Sequence, residues 1–231
     1  MTIGLIFLSL LVAVIVGWLM RQTLVEPWRA EVVVPEVRVG LAAMPTGKVA
    51  LWVFLGVASS LFVLFVSAYV MRLDLADWSP IPRPRLLLLN TVFLMGASLA
   101  MEWTVYSARR ADIGNVRRGL AASGLLTFAF LAGQLYVWKQ YHDAGLLLSS
   151  SAATAFFYLF TAVHGLHVLG GLVAWARASL RVWRGADAAR TRLVCELCAT
   201  YWHYLLAVWV LLYALLVSED LGLAICSAAP L

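Results

Sequence analysis

The sequence predicts an all-α protein: a bundle of about six helices that cross a membrane. Hydrophobic residues make up 63% of the 231 residues and charged residues only 13%, which leaves too little polar surface for a soluble domain of this length. The apolar residues fall into stretches that reach or approach the ~20 residues a helix needs to cross the hydrocarbon core. Short connections between these stretches hold nearly all the charges and prolines.

The predicted spans follow one another along the whole chain. In order, they cover residues 3–20, 49–70, 86–107, 120–138, 153–175 and 197–217. The first has no basic residue before it and no clear small-residue cleavage site after it, so we expect an uncleaved helix, with a signal peptide as the alternative. We divide the chain into residues 1–47, a membrane helix with its cytoplasmic connection, and residues 48–231, a five-helix membrane domain.

Basic residues are shared unequally between the two sides of the predicted bundle. The connections at 21–48, 109–118 and 177–192 lie on one side and carry most of the 17 lysines and arginines. By the positive-inside rule this side is cytoplasmic, which places both termini in the periplasm or outside the cell. The net charge of +5 is therefore an orientation signal, and we expect no nucleic-acid partner.

Few ionisable or thiol side chains lie inside the spans. Glu102 lies near the cytoplasmic end of the third span, two turns before Arg109. It is either an interfacial carboxylate that reaches the headgroups or that arginine, or a proton-relay or interhelical-contact residue, because carboxylates in membranes are functional candidates. Cys195 and Cys198 have no second cysteine pair to complete a zinc site, so we interpret them as small packing residues.

Histidines and glycines interrupt the apolar sequence of the last two spans. His164 and His167 are three residues apart, so a helix projects them into one neighbourhood, and His203 lies in the last span. Three imidazoles without a carboxylate or thiol at matching depth make no complete metal site. We therefore predict hydrogen bonds between helices or to lipid and water, with a haem or metal as the alternative. Gly165, Gly170 and Gly171, with His164 and His167, are predicted to form a helix face with little side-chain bulk that lets a neighbouring helix approach closely.

A series of motifs resembles subunit III of the haem-copper oxidases. It starts with Lys-Val-Ala-Leu-Trp-Val-Phe-Leu at 48–55 and Pro-Arg-Leu-Leu-Leu-Leu-Asn-Thr at 84–91, which contains Asn90. The segment 124–134, which ends at Gln134, is similar to a glycine-to-glutamine helix of that family. The signatures His-Gly-Leu-His-Val at 164–168 and Tyr-Trp-His-Tyr at 201–204, with Trp202, complete the series. The resemblance covers residues 48–217 and leaves the span at 3–20 as an extra N-terminal helix.

The resemblance implies a non-catalytic subunit of a respiratory terminal oxidase that reduces oxygen to water and pumps protons. Its partners would be the catalytic subunit I, other oxidase subunits and membrane lipids, in a bacterial cytoplasmic membrane. The chain would carry no cofactor of its own except a bound phospholipid, with haem and copper in the partner subunits. The histidines, Gly165, Gly170, Asn90, Gln134 and Trp202 would then serve as structural, lipid or interhelical contacts.

Two departures from the family pattern limit that expectation. The acid usual in the first core helix is absent from Gly-Val-Ala-Ser-Ser at 56–60, and the usual aspartate of the last helix is absent from Leu-Leu-Ala-Val at 205–208. A direct role in proton handling is therefore not expected. An accessory subunit of nitric oxide reductase is one alternative, and a haem-binding membrane cytochrome or a small transporter is another. The electron donor of an oxidase, cytochrome c or quinol, would bind to other subunits.

Overall fold

Five long helices form the part of the chain that the structure describes. The computed structural model describes residues 46–73, 78–79, 85–185 and 187–227, with side chains up to residue 216. The helices are α1 Thr46–Arg72, α2 Leu86–Arg109, α3 Ile113–Asp143, α4 Ala152–Trp183 and α5 Ala188–Ser227. All five are long and apolar enough to span a membrane, which confirms five of the six predicted spans. The span predicted at 3–20 lies outside the described residues.

The helices extend beyond the apolar stretches because polar residues cap them. Asp112 accepts a hydrogen bond from the backbone N–H of Asn115 at 3.0 Å, so α3 begins seven residues before its predicted start at residue 120. Ser151 caps α4 through the N–H of Thr154 in the same way, at 3.2 Å. A side chain that accepts from the first helical N–H groups stabilises a helix start whatever the hydropathy of the following residues. Hydropathy alone therefore predicted these helices too short.

The helices pack unequally. α2 lies along α3 and α5, and α4 packs against α3 and α5, whereas α1 makes only small contacts, with α5 and α4. Most of the largest fully buried side chains belong to this four-helix core, among them Met101, Phe130, Trp202 and Trp209, and Tyr69 of α1 is buried as well. The surface of α1 is mostly exposed and apolar, as expected of a helix that faces lipid or another protein.

Tryptophan and threonine side chains join the core helices by hydrogen bonds. Three indole N–H groups donate at 3.0 Å to a threonine hydroxyl of another helix: Trp138 to Thr161, Trp202 to Thr127, and Trp209 to Thr91. Each of these hydroxyls also donates to the carbonyl four residues earlier in its own helix. Each threonine hydroxyl thus donates its own proton to a carbonyl and accepts the proton of a buried indole. Both groups are then hydrogen-bonded, as polar groups inside a membrane protein need to be.

Candidate functional site

Charged side chains from three helices meet at the end of the bundle that holds Lys48, Arg109 and Arg192, which we call the basic end. Glu196 of α5 is at the centre of the group and is only 18% exposed. Its carboxylate accepts hydrogen bonds from Lys48 Nζ of α1 at 3.0 Å and from Arg192 Nε at 3.1 Å. Arg109 Nε of α2 lies 3.8 Å away. One carboxylate therefore ties the weakly packed α1 to α5 and α2.

A second polar group lies deeper in the span, on α2 and α5. His203 contacts Ser98 Oγ through Nδ1 at 2.5 Å and Glu102 Oε2 through Nε2 at 3.2 Å. The tautomer with a proton on Nε2 donates to the carboxylate and accepts from the serine hydroxyl. The predicted pair of Glu102 with Arg109 is wrong, because Arg109 lies at Glu196, two helical turns away, and the alternative of an interhelical contact is confirmed by the bond to His203 of α5.

A cavity of about 300 Å³ connects these two groups along the side of the bundle. Lys48, Leu51 and Trp52 of α1 line one wall, and the other walls come from α2 and α5 through Glu102, Val105, Arg109, Glu196, Leu197, Ala199, Thr200 and His203. Charged residues of both signs and the His203 imidazole line the cavity. This arrangement can bind a polar group or hydrogen-bond a partner.

His164 lies in the core and makes ring contacts. It is fully buried, with its ring 5.3 Å from the Trp209 ring and 5.8 Å from that of Phe130. Neither ring nitrogen has a hydrogen-bond partner among the described residues, so the predicted hydrogen bond of His164 to another helix is not found there. His167 points toward α1, where its ring is 5.4 Å from that of Phe62, and its Nδ1 meets the carbonyl of Val163 in its own helix at 2.8 Å.

Asn90 and Gln134 form the interhelical contact expected of them. Asn90 Nδ2 donates to Gln134 Oε1 at 3.3 Å, between α2 and α3. Both side chains are buried. The α3 backbone approaches closely here, because a Cβ at Gly133 would overlap Asn90 Oδ1.

Comparison with known proteins agrees with this arrangement. The family model of cytochrome c oxidase subunit III matches residues 5–218. The chain belongs to the cytochrome c oxidase subunit III family. The match begins at residue 5, so it includes residues 5–20 of the stretch at 3–20 that the sequence motifs left without a counterpart.

Several bacterial relatives are similar to this member of the subunit III family. A probable cytochrome c oxidase subunit 3 of Mycobacterium tuberculosis is 32% identical over 130 residues, which cover 54% of this chain and 62% of the relative. The corresponding protein of Nocardia farcinica is 30% identical over 65% of this chain and 76% of its own length. Cytochrome c oxidase subunit 3 of Bacillus subtilis is 28% identical over 70% of this chain and 81% of its own length. The chain thus spans somewhat under two thirds of the mycobacterial relative.

Only one of the three glycines of α4 that were predicted to admit a neighbouring helix lies against one. A Cβ added to Gly165 or Gly170 would meet no atom within 4 Å, so the prediction that these two glycines admit a neighbouring helix is wrong. The prediction is confirmed at Gly171, which shares the inward face of α4 with His164, because a Cβ there would lie 2.6 Å from Tyr201 Cε1 of α5. Residues 164 and 171 are two helical turns apart and share a face, whereas 165 and 170 flank it.

The described residues hold no group of three His, Cys, Asp or Glu side chains placed to bind a metal ion. Cys195 and Cys198 are free and buried in the core of α5, in keeping with packing residues. The sequence analysis missed the contribution of Ser98 and the threonine acceptors. These residues could be seen in the sequence as hydroxyl side chains inside apolar helices. The sequence does not show that they bond to another helix, because such side chains often bond only to the backbone of their own helix.

Proposed function

We propose that this chain is the non-catalytic subunit III of a respiratory haem-copper oxidase that reduces oxygen to water and pumps protons. In this proposal it stabilises the catalytic subunit and shapes the proton, oxygen and lipid environment beside it. The family match over residues 5–218 carries the proposal. The use of Asn90, Gln134 and Trp202 in packing supports a structural role for this chain.

We further propose that haem and copper reside in the partner subunits, and that the basic end contacts a phospholipid headgroup. Arg109 and Arg192 support the lipid contact, because their side chains are 55% and 56% exposed beside Glu196 and surface arginines attract lipid phosphates. The basic end would face the cytoplasm of a bacterial cell and both termini the outside, as the distribution of basic residues favours.

Purification of the native complex through this chain tests the proposed function. A tagged chain isolated from its own membrane should bring down a subunit with haem and copper, together with cytochrome c or quinol oxidase activity. Deletion of the chain should leave an oxidase that loses activity during turnover or storage, because its catalytic subunit loses a packing partner. Co-purification with a nitric oxide reductase, or with no haem protein, would contradict the proposal.

A further inference from the structure

The outer surface of the bundle carries a polar pair inside the membrane span. The side chains of Glu102 and His203 are 59% and 46% exposed. α2 begins just after Arg85 and ends at Arg109, so its midpoint lies near Ser98. Glu102 is then ~7 Å from the midpoint at 1.5 Å per residue, well inside a hydrocarbon half-thickness of ~15 Å.

One atom of this pair, on its exposed side, can still accept a hydrogen bond. His203 uses Nδ1 with Ser98 and Nε2 with Oε2 of Glu102. Glu102 Oε1 has no hydrogen-bond partner in the part of the chain that the structure describes. A carboxylate oxygen that faces lipid tails is strongly disfavoured, so this side of the pair requires a donor from outside the described bundle.

The surroundings of Glu102 favour a protein over a lipid headgroup as that donor. On the side toward the middle of α2 the exposed neighbouring side chains are apolar, with Leu99 69% and Met95 47% exposed. A headgroup at the membrane surface is roughly 8 Å farther out than the carboxylate, given the same half-thickness. A side chain on a neighbouring membrane helix reaches this depth directly, and interhelical hydrogen bonds of this kind hold membrane helices together.

The cavity beside the pair provides room for such a side chain. It measures about 300 Å³ and is lined by Trp52, Thr200, Glu102 and His203 among others. Its charged lining residues are Lys48, Arg109, Glu102 and Glu196, so the two signs balance when His203 is neutral. The site selects a hydrogen-bond donor, and its balanced charge sets no strong preference for a cationic one.

We propose that the α2–α5 face around Glu102 and His203 is a docking surface for a transmembrane helix of a neighbouring subunit that presents a hydrogen-bond donor to Glu102. This inference depends on the proposed function in one respect: the proposed function supplies the partner subunits in the membrane. The partner is a protein helix, and lipid is the competing occupant that the experiments below distinguish.

The first test replaces the carboxylate by an apolar side chain. Glu102→Leu should leave the chain purified alone in detergent folded, with only a small loss of thermal stability, because the substitution removes the bond to His203 at a site where the carboxylate side chain is 59% exposed. The same variant should lower retention of the partner subunits on a tagged chain by about tenfold, as expected for loss of an interhelical hydrogen bond. Glu102→Gln, which keeps an acceptor oxygen, should retain the partners.

Ser60→Leu is the matched control, because Ser60 is exposed on α1 and its hydroxyl bonds to the Gly56 carbonyl of its own helix. It should retain the partners as the wild type does. Full retention of the partners by Glu102→Leu would overturn the proposal. If the wild-type chain itself retains no partner, the proposed function fails, and the docking surface fails with it.

The second test identifies what covers the face while Glu102 stays intact. A diazirine amino acid at position 99, one helical turn from Glu102, should form an adduct with a partner subunit when the purified complex is irradiated. The same probe at position 125 on α3, where Leu125 is 73% exposed, is the control for a lipid-facing site. Adducts at position 99 with lipid alone, in a complex that contains its partners, would overturn the proposal and leave the proposed function standing.

Discussion

Single threonine hydroxyls link the core helices of this chain. Thr127 is fully buried on α3, donates to the carbonyl of Ser123 and accepts the indole N–H of Trp202. Trp202 belongs to the terminal signature of the family, and its indole is fully buried. A buried indole N–H without an acceptor is costly. Thr127 supplies that acceptor for Trp202 from another helix.

Thr127→Val should destabilise the chain by about 1–3 kcal/mol, because valine keeps the shape but leaves the Trp202 indole without its acceptor. The free energy of unfolding in mixed detergent micelles measures the effect. Thr127→Ser is the control and should cost less, since it keeps the hydroxyl. A valine variant as stable as the wild type, or one whose loss persists when Trp202→Phe is also present, would show that the hydrogen bond contributes nothing.

At the scale of helices, the face of α4 determines which small residues matter. His164, Val168 and Gly171 face the core, and Gly171 allows Tyr201 of α5 to lie against the α4 backbone. The Tyr201 hydroxyl also donates to the His167 carbonyl at 2.9 Å. α4 and α5, which carry the two family signatures, are thus joined at a point where a side chain on residue 171 has no room.

Gly171→Ala should destabilise the chain by about 1–3 kcal/mol, because the added methyl group overlaps the Tyr201 ring and forces a shift of packed atoms. Gly170→Ala, on the adjacent exposed position with open space around it, is the matched control and should be neutral or slightly stabilising. Thermal melting of the two variants in detergent, side by side, measures the difference. Equal melting temperatures would contradict the proposed contact at Gly171.

At the scale of the whole molecule, composition and span length predicted most of the fold and few of its contacts. Five spans and the separate assignment of Asn90 and Gln134 as contact residues follow from where polar side chains interrupt apolar helices. The partner of Glu102, and which of the three predicted glycines of α4 meets the neighbouring helix, do not, because each depends on how a helix is rotated about its axis. Residues on almost every side of these helices are apolar, so hydropathy contains little information on that rotation.

The same rotations separate the histidines of this chain. His164 lies in the core among Phe130 and Trp209, His167 faces the aromatic rings of α1, and His203 lies on the outer face with Ser98 and Glu102. Each imidazole thus has a different environment. An axial haem site needs two ligands, or one ligand and an open position, facing a space large enough for the macrocycle.

We therefore predict that the chain expressed and purified alone contains no haem, copper or zinc. Metal analysis and the visible spectrum of the detergent-solubilised chain measure this, with the complete oxidase as the positive control for haem and copper. His203→Ala serves as a second check, because loss of any residual absorbance in that variant would locate a bound group at His203. A Soret band or copper present in a one-to-one ratio with the chain would contradict the prediction and require a subunit III with a cofactor of its own.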